Sequence, residues 1–397
     1  MTNKELHDID QTHYLPTFRR YPIALDRGEG SSVWDVDGKE YIDALAGIAV
    51  SNIGHAHPKL VAAIANQAAK LIHISNFYVS EPQMRLVKKL AELSGLDRVF
   101  LGNSGAEAVE GAIKIARKYG HINGRGSTII AMKNAFHGRT LATVAATGKE
   151  AMMIGFAPIP EGFTHVPFND IAALKSAITT DIAGIMLEPI QGEGGVNPAN
   201  TEYLNHVRAL CDEHNIALIF DEIQCGMGRT GKMFAFEHYG IKPDIMTLAK
   251  GLGGGVPIGA VLAREKVAQA IDWGDHGTTF GGNPLASAAA LAVLDVIESE
   301  DLLTQAKVKG QWLMSKLNDL KSEYPEIEEV RGMGLMIGVQ LSIDPKVVVA
   351  TMMGKGVLAN ATAGNVVRLV PPLNIPKIQL EQVLEIFLAS IKENRTA

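Results

Sequence analysis

Between about residues 58 and 275 the chain alternates short, continuous apolar runs with segments whose apolar residues recur at helical spacing. Arg98-Val-Phe-Leu-Gly102 reads as a strand and runs into Gly105 to Tyr119, where Ala108, Ala112, Ile115 and Ala116 mark one helix face. Thr128 to Ala131, Ile182 to Ile190, Ala217 to Phe220, Asp244 to Ala249 and Ile258 to Ala263 read as further strands, with a helix from Thr201 to His214. Apolar runs without polar alternation suit strands covered on both faces, and alternation with helices suits parallel pairing. The expected fold class is α/β, with a mainly parallel central sheet in a large domain. From Pro284 on, helix-like segments dominate, interrupted by the strand-like Val330 to Leu341, which implies a smaller α+β domain. Residues 1–57 read as irregular and turn-rich, packing with the small domain. The expected division is 1–57, 58–283 and 284–397.

Composition narrows the function classes. With 397 residues and 47% apolar content the chain can bury a large core, which excludes global disorder. A formal net charge of −6 argues against a dedicated binder of nucleic acid or anionic membrane. The two cysteines, Cys211 and Cys225, form neither a disulfide framework nor a C-x-x-C pair, and suit a reducing compartment. The N-terminus is polar, without an apolar stretch of signal-peptide type, and no segment is long and apolar enough to span a bilayer. A cytoplasmic protein is expected.

Candidate chemistry gathers in loops after the predicted strands, where open α/β sheets bind ligands. Gly102-Asn-Ser-Gly-Ala-Glu107 lies between strand and helix, and free N–H groups at Ser104 and Gly105 suit a phosphate. The same residues also make an ordinary capped helix start. Ala217-Leu-Ile-Phe220 delivers Asp221 to a strand end, where a carboxylate can hold a cation or a protonated heterocycle, or simply end the strand. Lys250 ends an apolar strand and precedes Gly251 and Gly253 to Gly255; a buried lysine with nothing bulky after it is placed to form an imine. His276-Gly-Thr-Thr-Phe-Gly-Gly-Asn-Pro284 combines hydroxyls and glycines, as a second phosphate contact or a helix start. Gly226-Met-Gly-Arg-Thr-Gly-Lys232 has P-loop spacing, which makes a nucleotidase the rival from another enzyme class. Met233 counts against it, because it stands where Ser or Thr must ligate Mg²⁺. So does a Walker-B-like strand only a few residues upstream. His55 and His57 lack the companions of a metal set, and no metal is expected.

Together these segments resemble the class III, ornithine-type, aminotransferases. The matching stretches are Trp34-Asp-Val-Asp-Gly38, Gly54-His-Ala-His-Pro58, Asn103-Ser-Gly-Ala-Glu107, Phe136-His-Gly-Arg-Thr140, Glu188-Pro-Ile-Gln-Gly-Glu193, Phe220-Asp-Glu-Ile-Gln224, Leu248-Ala-Lys-Gly251 and Thr279-Phe-Gly-Gly-Asn283. Each is weak alone; in family order, from Tyr21 to about Leu373, they are specific. The resemblance implies fold type I of the pyridoxal phosphate (PLP) enzymes and a homodimer with shared sites. It further implies that Lys250 carries the cofactor and Asp221 pairs with its ring nitrogen. Gln224 would approach the ring hydroxyl and Phe136 and Ile223 would sandwich the ring. Ser104, Gly105 and Ala106 would take the phosphate, with His137 beside the cofactor and Thr279 reaching the neighbouring subunit's phosphate.

The same resemblance implies the reaction. PLP is an electron sink, and a buried carboxylate at Asp221 keeps its ring nitrogen protonated, while Lys250 can shuttle a proton. Gly47-Ile-Ala-Val50 and His276 to Asn283 look most like the branch that moves the terminal amine of N2-acetyl-L-ornithine to 2-oxoglutarate in arginine biosynthesis. Succinylornithine, ornithine and 4-aminobutyrate are the alternatives. Ile48 stands where enzymes of free ornithine tend to carry Tyr, and Phe18 where several relatives have Tyr. In the family, positions matching Glu193 and Arg368 form a movable ion pair, and Arg139 holds the distal carboxylate. No nucleic acid or membrane partner is expected.

Overall fold

The computed structural model describes residues 1–395, so the last two residues of the expected C-terminal unit lie outside the described part. Seven strands form the central sheet: Arg98–Gly102 (β1), Thr128–Met132 (β2), Phe163–Val166 (β3), Ile182–Leu187 (β4), Ala217–Asp221 (β5), Ile245–Leu248 (β6) and Gly259–Ala263 (β7). Their order is β1-β7-β6-β5-β4-β2-β3. Strands β3, β2, β4, β5 and β6 pair in parallel, whereas β7 runs antiparallel to both β6 and β1. Strands β4, β5, β6 and β7 are buried at every position, which is why they read as apolar runs. Periodicity alone does not report strand direction. The connection from β6 to β7 is a loop with no crossover helix, so the reversal follows there.

The helix Gly105–Ile122 crosses one face of this sheet closely. Ser104 caps it, its side chain accepting from Glu107 N. Its buried face carries small residues, including Ala108, Gly111, Ala112, Ala116 and Gly120. A Cβ at Gly111 would lie 3.1 Å from Val261 Cγ2, and one at Gly120 would lie 2.6 Å from Ala183 Cβ. The close approach fixes where the helix N-terminus stands relative to the ends of β1 and β5. The helix Pro284–Ser299 follows the sheet, with Pro284 in its first turn and Asn283 Oδ1 accepting from Ala286 N at 2.9 Å.

Three expectations need correction. Residues 1–57 are not irregular: they contain the helix Asn3–His13 and the strands Leu25–Glu29, Ser32–Asp35 and Glu40–Asp43. These strands are short and rich in polar residues, and Leu25–Glu29 is largely exposed, so they lack an apolar run. Glu40–Asp43 pairs in parallel with Val357–Leu358, which joins the two ends of the chain. The segment Val330 to Leu341 is two strands, Ile327–Met333 and Met336–Leu341, turned through Gly334 at φ 54°. The stretch from Ile182 to Ile190 ends as a strand at Leu187, just before Glu188 and Pro189, and pairing resumes only in a short ladder of Ile190–Gln191 with Asn197–Pro198.

Because the Gly120 position has no room, Gly120→Ala should destabilise the protein by about 1–3 kcal/mol through overpacking against Ala183 and the Gly126 carbonyl. A chemical denaturation series would show a lowered midpoint with an unchanged slope.

Candidate active site

A cavity of about 330 Å³ opens beyond the ends of β5 and β6 and is lined by residues from separate segments. Asp221, Ile223 and Gln224 come from the end of β5 and the turn after it, and Ala249 and Lys250 follow β6. Ser104, Gly105 and Ala106 come from the start of the long helix; Phe136, His137, Gly138 and Glu188 close another wall. Sequence reasoning assigned no role to Val50, Glu188 or Gly255 to Ile258, which also line the cavity. The glycine run after Lys250 was the available signal for the last of these.

Lys250 is half-buried, and desolvation of its amine lowers its pKa; the nearby Glu193 carboxylate opposes that shift and Arg368 adds to it. Its backbone has φ 41°, an uncommon left-handed conformation for a residue with a side chain. Asp221 is buried more completely, at 3% exposure. Its Oδ2 accepts from His137 Nδ1 at 2.7 Å, and its Oδ1 accepts from Ile223 N and Thr247 Oγ1, both at 3.1 Å. Burial disfavours the charged His137 ring, but the hydrogen bond and charge of Asp221 outweigh it and raise its pKa. Glu188 accepts from Phe136 N at 2.9 Å and Gly192 N at 3.0 Å, and burial pushes its pKa up to about 7.

The structure brings Glu193 and Arg368 together: Arg368 Nη1 donates to Glu193 Oε1 at 2.5 Å and to Gln224 Oε1 at 3.0 Å. Arg368 Nε donates to Asn360 Oδ1 at 3.2 Å, and Gln224 Nε2 reaches Glu193 Oε1 at 3.4 Å. Arg368 is wholly buried, so this is no exposed surface pair. Burial raises the Glu193 pKa, but the Arg368 charge and hydrogen bond bring it below the usual carboxylate range.

Glu193 and Arg368 are not among the residues that line the cavity, and four further candidates also lie outside its wall. Arg139 is exposed, with its guanidinium carbon 5.7 Å from the Phe136 ring centre, at the cavity's approach. Thr279 and Phe18 are exposed. Ile48 is half-buried in a left-handed turn: Ala46, Gly47, Ile48 and Ala49 all have φ between 50° and 66°. Left-handed conformation costs roughly 1–2 kcal/mol per ordinary residue, so something must hold the turn. Asp43 does so: its Oδ1 accepts from Leu45 N at 2.9 Å and Ala46 N at 2.7 Å, while Oδ2 bonds His55 Nε2 at 2.7 Å. The turn leads to Val50 at the cavity wall.

The loop with P-loop spacing holds no phosphate cradle. Side chains already fill the space around its glycines: a Cβ at Gly228 would meet Leu373 Cδ1 at 2.9 Å, and one at Gly231 would meet Lys307 Cβ at 2.9 Å. Arg229 is buried in the same loop. The nucleotidase reading fails on this packing.

The donor set of the cavity suits a phosphorylated, cationic heterocycle. The amides of Gly105 and Ala106 stand at the N-terminus of an 18-residue helix, where no intrahelical acceptor exists. A Cβ at Gly105 would lie 2.9 Å from Ile223 Cδ1, so only glycine leaves this corner open. Asp221 offers a buried carboxylate and Lys250 a buried amine. Among the described residues, the buried His137 Nε2 and Arg368 Nη2 lack any hydrogen-bond partner. Among the same residues no cluster of His, Cys, Asp and Glu has the arrangement of a metal site.

Known proteins agree with this chemistry. The acetylornithine aminotransferase of Methanocaldococcus jannaschii is 56% identical over 388 residues, 97% of each chain. The solved ornithine aminotransferase of Toxoplasma gondii superposes with a TM-score of 0.95 at 35% identity, covering 99% of this chain and 95% of that one. Acetylornithine aminotransferase from Elizabethkingia anophelis gives 0.88 at 37% identity, covering 99% and 100%. The fold is that of the fold-type-I PLP enzymes and the cofactor is PLP. With residues 16–391 matched by the family described as aminotransferase class-III, the chain belongs to the class III aminotransferases.

Proposed function

We propose that this aminotransferase moves the terminal amine of N2-acetyl-L-ornithine to 2-oxoglutarate, giving N-acetyl-L-glutamate 5-semialdehyde and L-glutamate, in arginine biosynthesis. The observation that carries the reading is that Lys250 and Asp221 line one cavity, with the Arg368–Glu193 pair close enough for its charges to act on the Lys250 amine. The 56% identity to the Methanocaldococcus jannaschii enzyme supports the substrate.

PLP, when bound, supplies an electron sink for the charge left on a substrate carbon. The chain's residues do the rest. Gly105 and Ala106 N–H groups, with Ser104, take the phosphate. Asp221 holds a proton on the ring nitrogen, and His137 keeps Asp221 oriented. With PLP bound, Gln224 would lie toward the ring hydroxyl, and Phe136 and Ile223 would cover the ring faces and exclude water. Lys250, its amine pKa lowered by burial, carries the cofactor and later holds the proton leaving the substrate carbon. Arg368 takes the α-carboxylate of glutamate by bidentate pairing once Glu193 moves aside; with acetylornithine, Glu193 keeps Arg368 neutralised. Arg139 receives the distal carboxylate of either substrate. Ile48 offers no hydroxyl to a free α-amine, and Phe18 none to a carboxylate.

The working unit on this reading is a homodimer. Phe77, Tyr78, Val79 and Phe280 are large exposed apolar side chains. Their segments are tied together, because Asn76 Nδ2 donates to Thr278 O at 3.1 Å and Gly281 O at 3.2 Å. Thr279 stands in this patch, and a two-fold contact there would bring it to the partner's phosphate. Within each subunit the proposed division is residues 1–57 with 284–397 as one unit and 58–283 as the other. A cytoplasmic location is consistent with two buried, free thiols. Among the described residues no helix is long and apolar enough to cross a membrane.

Steady-state kcat/KM measured side by side should favour acetylornithine over free ornithine and 4-aminobutyrate; a preference for either of the latter would overturn the substrate. Glu193→Ala should leave Arg368 free for glutamate. In single-turnover measurements, the glutamate half-reaction should persist and the acetylornithine half-reaction should slow by about tenfold or more. Thr279→Ala should weaken PLP retention by about 1.5–3 kcal/mol, the worth of a hydrogen bond to a charged group; an active monomer would disprove the shared site. Asp221→Asn keeps an acceptor for His137 Nδ1 but removes the charge, so the His137 resonances should titrate at lower pH. The sign follows from linkage. A raised histidine pKa adds stability that is present below the unfolded value of 6.5 and lost as pH rises through the folded value. That increment should shrink in the variant.

A further inference from the structure

We propose that Asn52, held by Arg229, is a positioning residue that fixes the backbone carrying Lys250; this rests on the proposed role of Lys250. Lys250 has φ 41°, and Ala249 before it has φ −165° and ψ −139°, so the chain turns abruptly at the residue that must be placed best. Uncommon backbone conformations persist only where their surroundings over-determine them. On one side the constraint is a single 3-10 turn, with Leu252 N donating to Ala249 O at 2.8 Å. The other side is closed by the Asn52 side chain. A Cβ built on Gly251 would overlap Asn52 Nδ2 and lie 2.8 Å from Asn52 Cγ. The amide therefore occupies the place that a side chain on residue 251 would take, with Met227 Cβ 3.2 Å from the same point.

The polar atoms of Asn52 are hydrogen-bonded to residues other than Gly251. Its Nδ2 donates to Met227 O at 2.9 Å, and Met227 is itself a left-handed residue, at φ 54°. Its Oδ1 accepts from Arg229 Nη2 at 2.5 Å, and its backbone carbonyl accepts from Leu373 N at 2.8 Å. Arg229 in turn donates through Nη1 to Leu335 O at 3.0 Å and Pro371 O at 2.5 Å. Its guanidinium thus spends its charge on three neutral oxygens from the N-terminal segment and the C-terminal region. Such a cation costs several kcal/mol to bury without an acid. Its hydrogen bonds aim the Asn52 amide at Gly251, in one orientation.

A merely structural role predicts that loosening this segment anywhere has the same result. Asn374 supplies the comparison: its Nδ2 donates to Ile53 O at 2.8 Å, one residue from Asn52, but the atoms nearest a Cβ on Gly251 belong to Asn52 and Met227. The experiment uses the PLP-loaded enzyme, treated with borohydride, with the modified share of Lys250 read by mass spectrometry at limiting PLP. The kcat and KM for acetylornithine and the thermal midpoint are measured alongside. Asn52→Ala should lower the Lys250 share and reduce kcat by about tenfold while KM changes by less than about threefold. Asn374→Ala should lower the midpoint only. Gly251→Ala should reproduce the Lys250 defect in an otherwise wild-type chain, and should cost much less in the Asn52→Ala background, where the space is vacated. Equal Lys250 defects in Asn52→Ala and Asn374→Ala would overturn the proposal, as would additive losses in the double variant. If Asn52→Ala does not fold, Gly251→Ala alone decides, and a normal Lys250 share in that variant refutes the contact. An abolished preference for acetylornithine with a normal Lys250 share would instead count against the substrate reading.

Discussion

The removal of Lys250 from water is the constraint around which the cavity is organised. A lysine amine in water is protonated at neutral pH and is a poor nucleophile. Burial at the end of β6 lowers its pKa, and the lysine is delivered there by Ile245–Leu248, a strand buried at every position. The amine must be desolvated yet face a cavity. That demands a sharp backbone turn at Lys250, small residues after it and close packing of the helix Gly105–Ile122 on the sheet. The run of small residues on that helix follows from the same demand.

Around the lysine, buried charge is arranged in partnered sets with different stiffness. Asp221 is held by three donors from three positions, and its geometry cannot change without breaking several hydrogen bonds. Glu193 is held by one strong partner, Arg368, and one weak contact from Gln224. On the proposed reading, the carboxylate that stays charged and fixed sits in the dense set, and the one that moves sits in the sparse one. Glu188 is a third case: it caps two backbone amides in a dry wall, and its pKa is raised to about 7 by burial. Its hydrogen bonds fix the Phe136 backbone, which on the proposed reading sets the ring against the cofactor.

Much of the large sheet was legible because each fully buried strand is a continuous apolar run, and the strand-end acid and lysine stand out against it. Strand β7 was legible as a strand but not as a reversed one, since the same apolar run serves either direction. The N-terminal strands were hidden by their composition: Leu25–Glu29 is mostly exposed, and Ser32–Asp35 and Glu40–Asp43 carry acids that accept hydrogen bonds from within the same segment. The left-handed turn from Ala46 to Ala49 had no local signal beyond Gly47, because its support comes from Asp43 and the packing around it. Lys250, Asp221 and Gln224 were readable in the chain's motifs and share one cavity. Asn52 and Arg229 were not, since their meaning depends on contacts between segments far apart in sequence. Thr279, Arg139 and Phe18 are exposed in one chain, so their proposed roles need a partner or a substrate to complete them.

The Arg368 environment shows how an acid can leave a buried cation without stranding it. Removing the only partner of a buried ion commonly costs about 3–5 kcal/mol, which would forbid a mobile Glu193. Here the guanidinium keeps Gln224 Oε1 and Asn360 Oδ1 as acceptors when Glu193 turns away. The backbone of Glu193 need not move, because Thr362 Oγ1 donates to its carbonyl at 2.8 Å and ties it to the strand pair that carries Arg368. Gly192 completes the arrangement: a Cβ there would collide with the Gln224 amide, so only glycine lets Gln224 reach Arg368. On the proposed reading, the Glu193 side chain can then rotate while its backbone stays in place. Two neutral oxygens lower the cost of its departure, and an incoming carboxylate supplies the charge it removes.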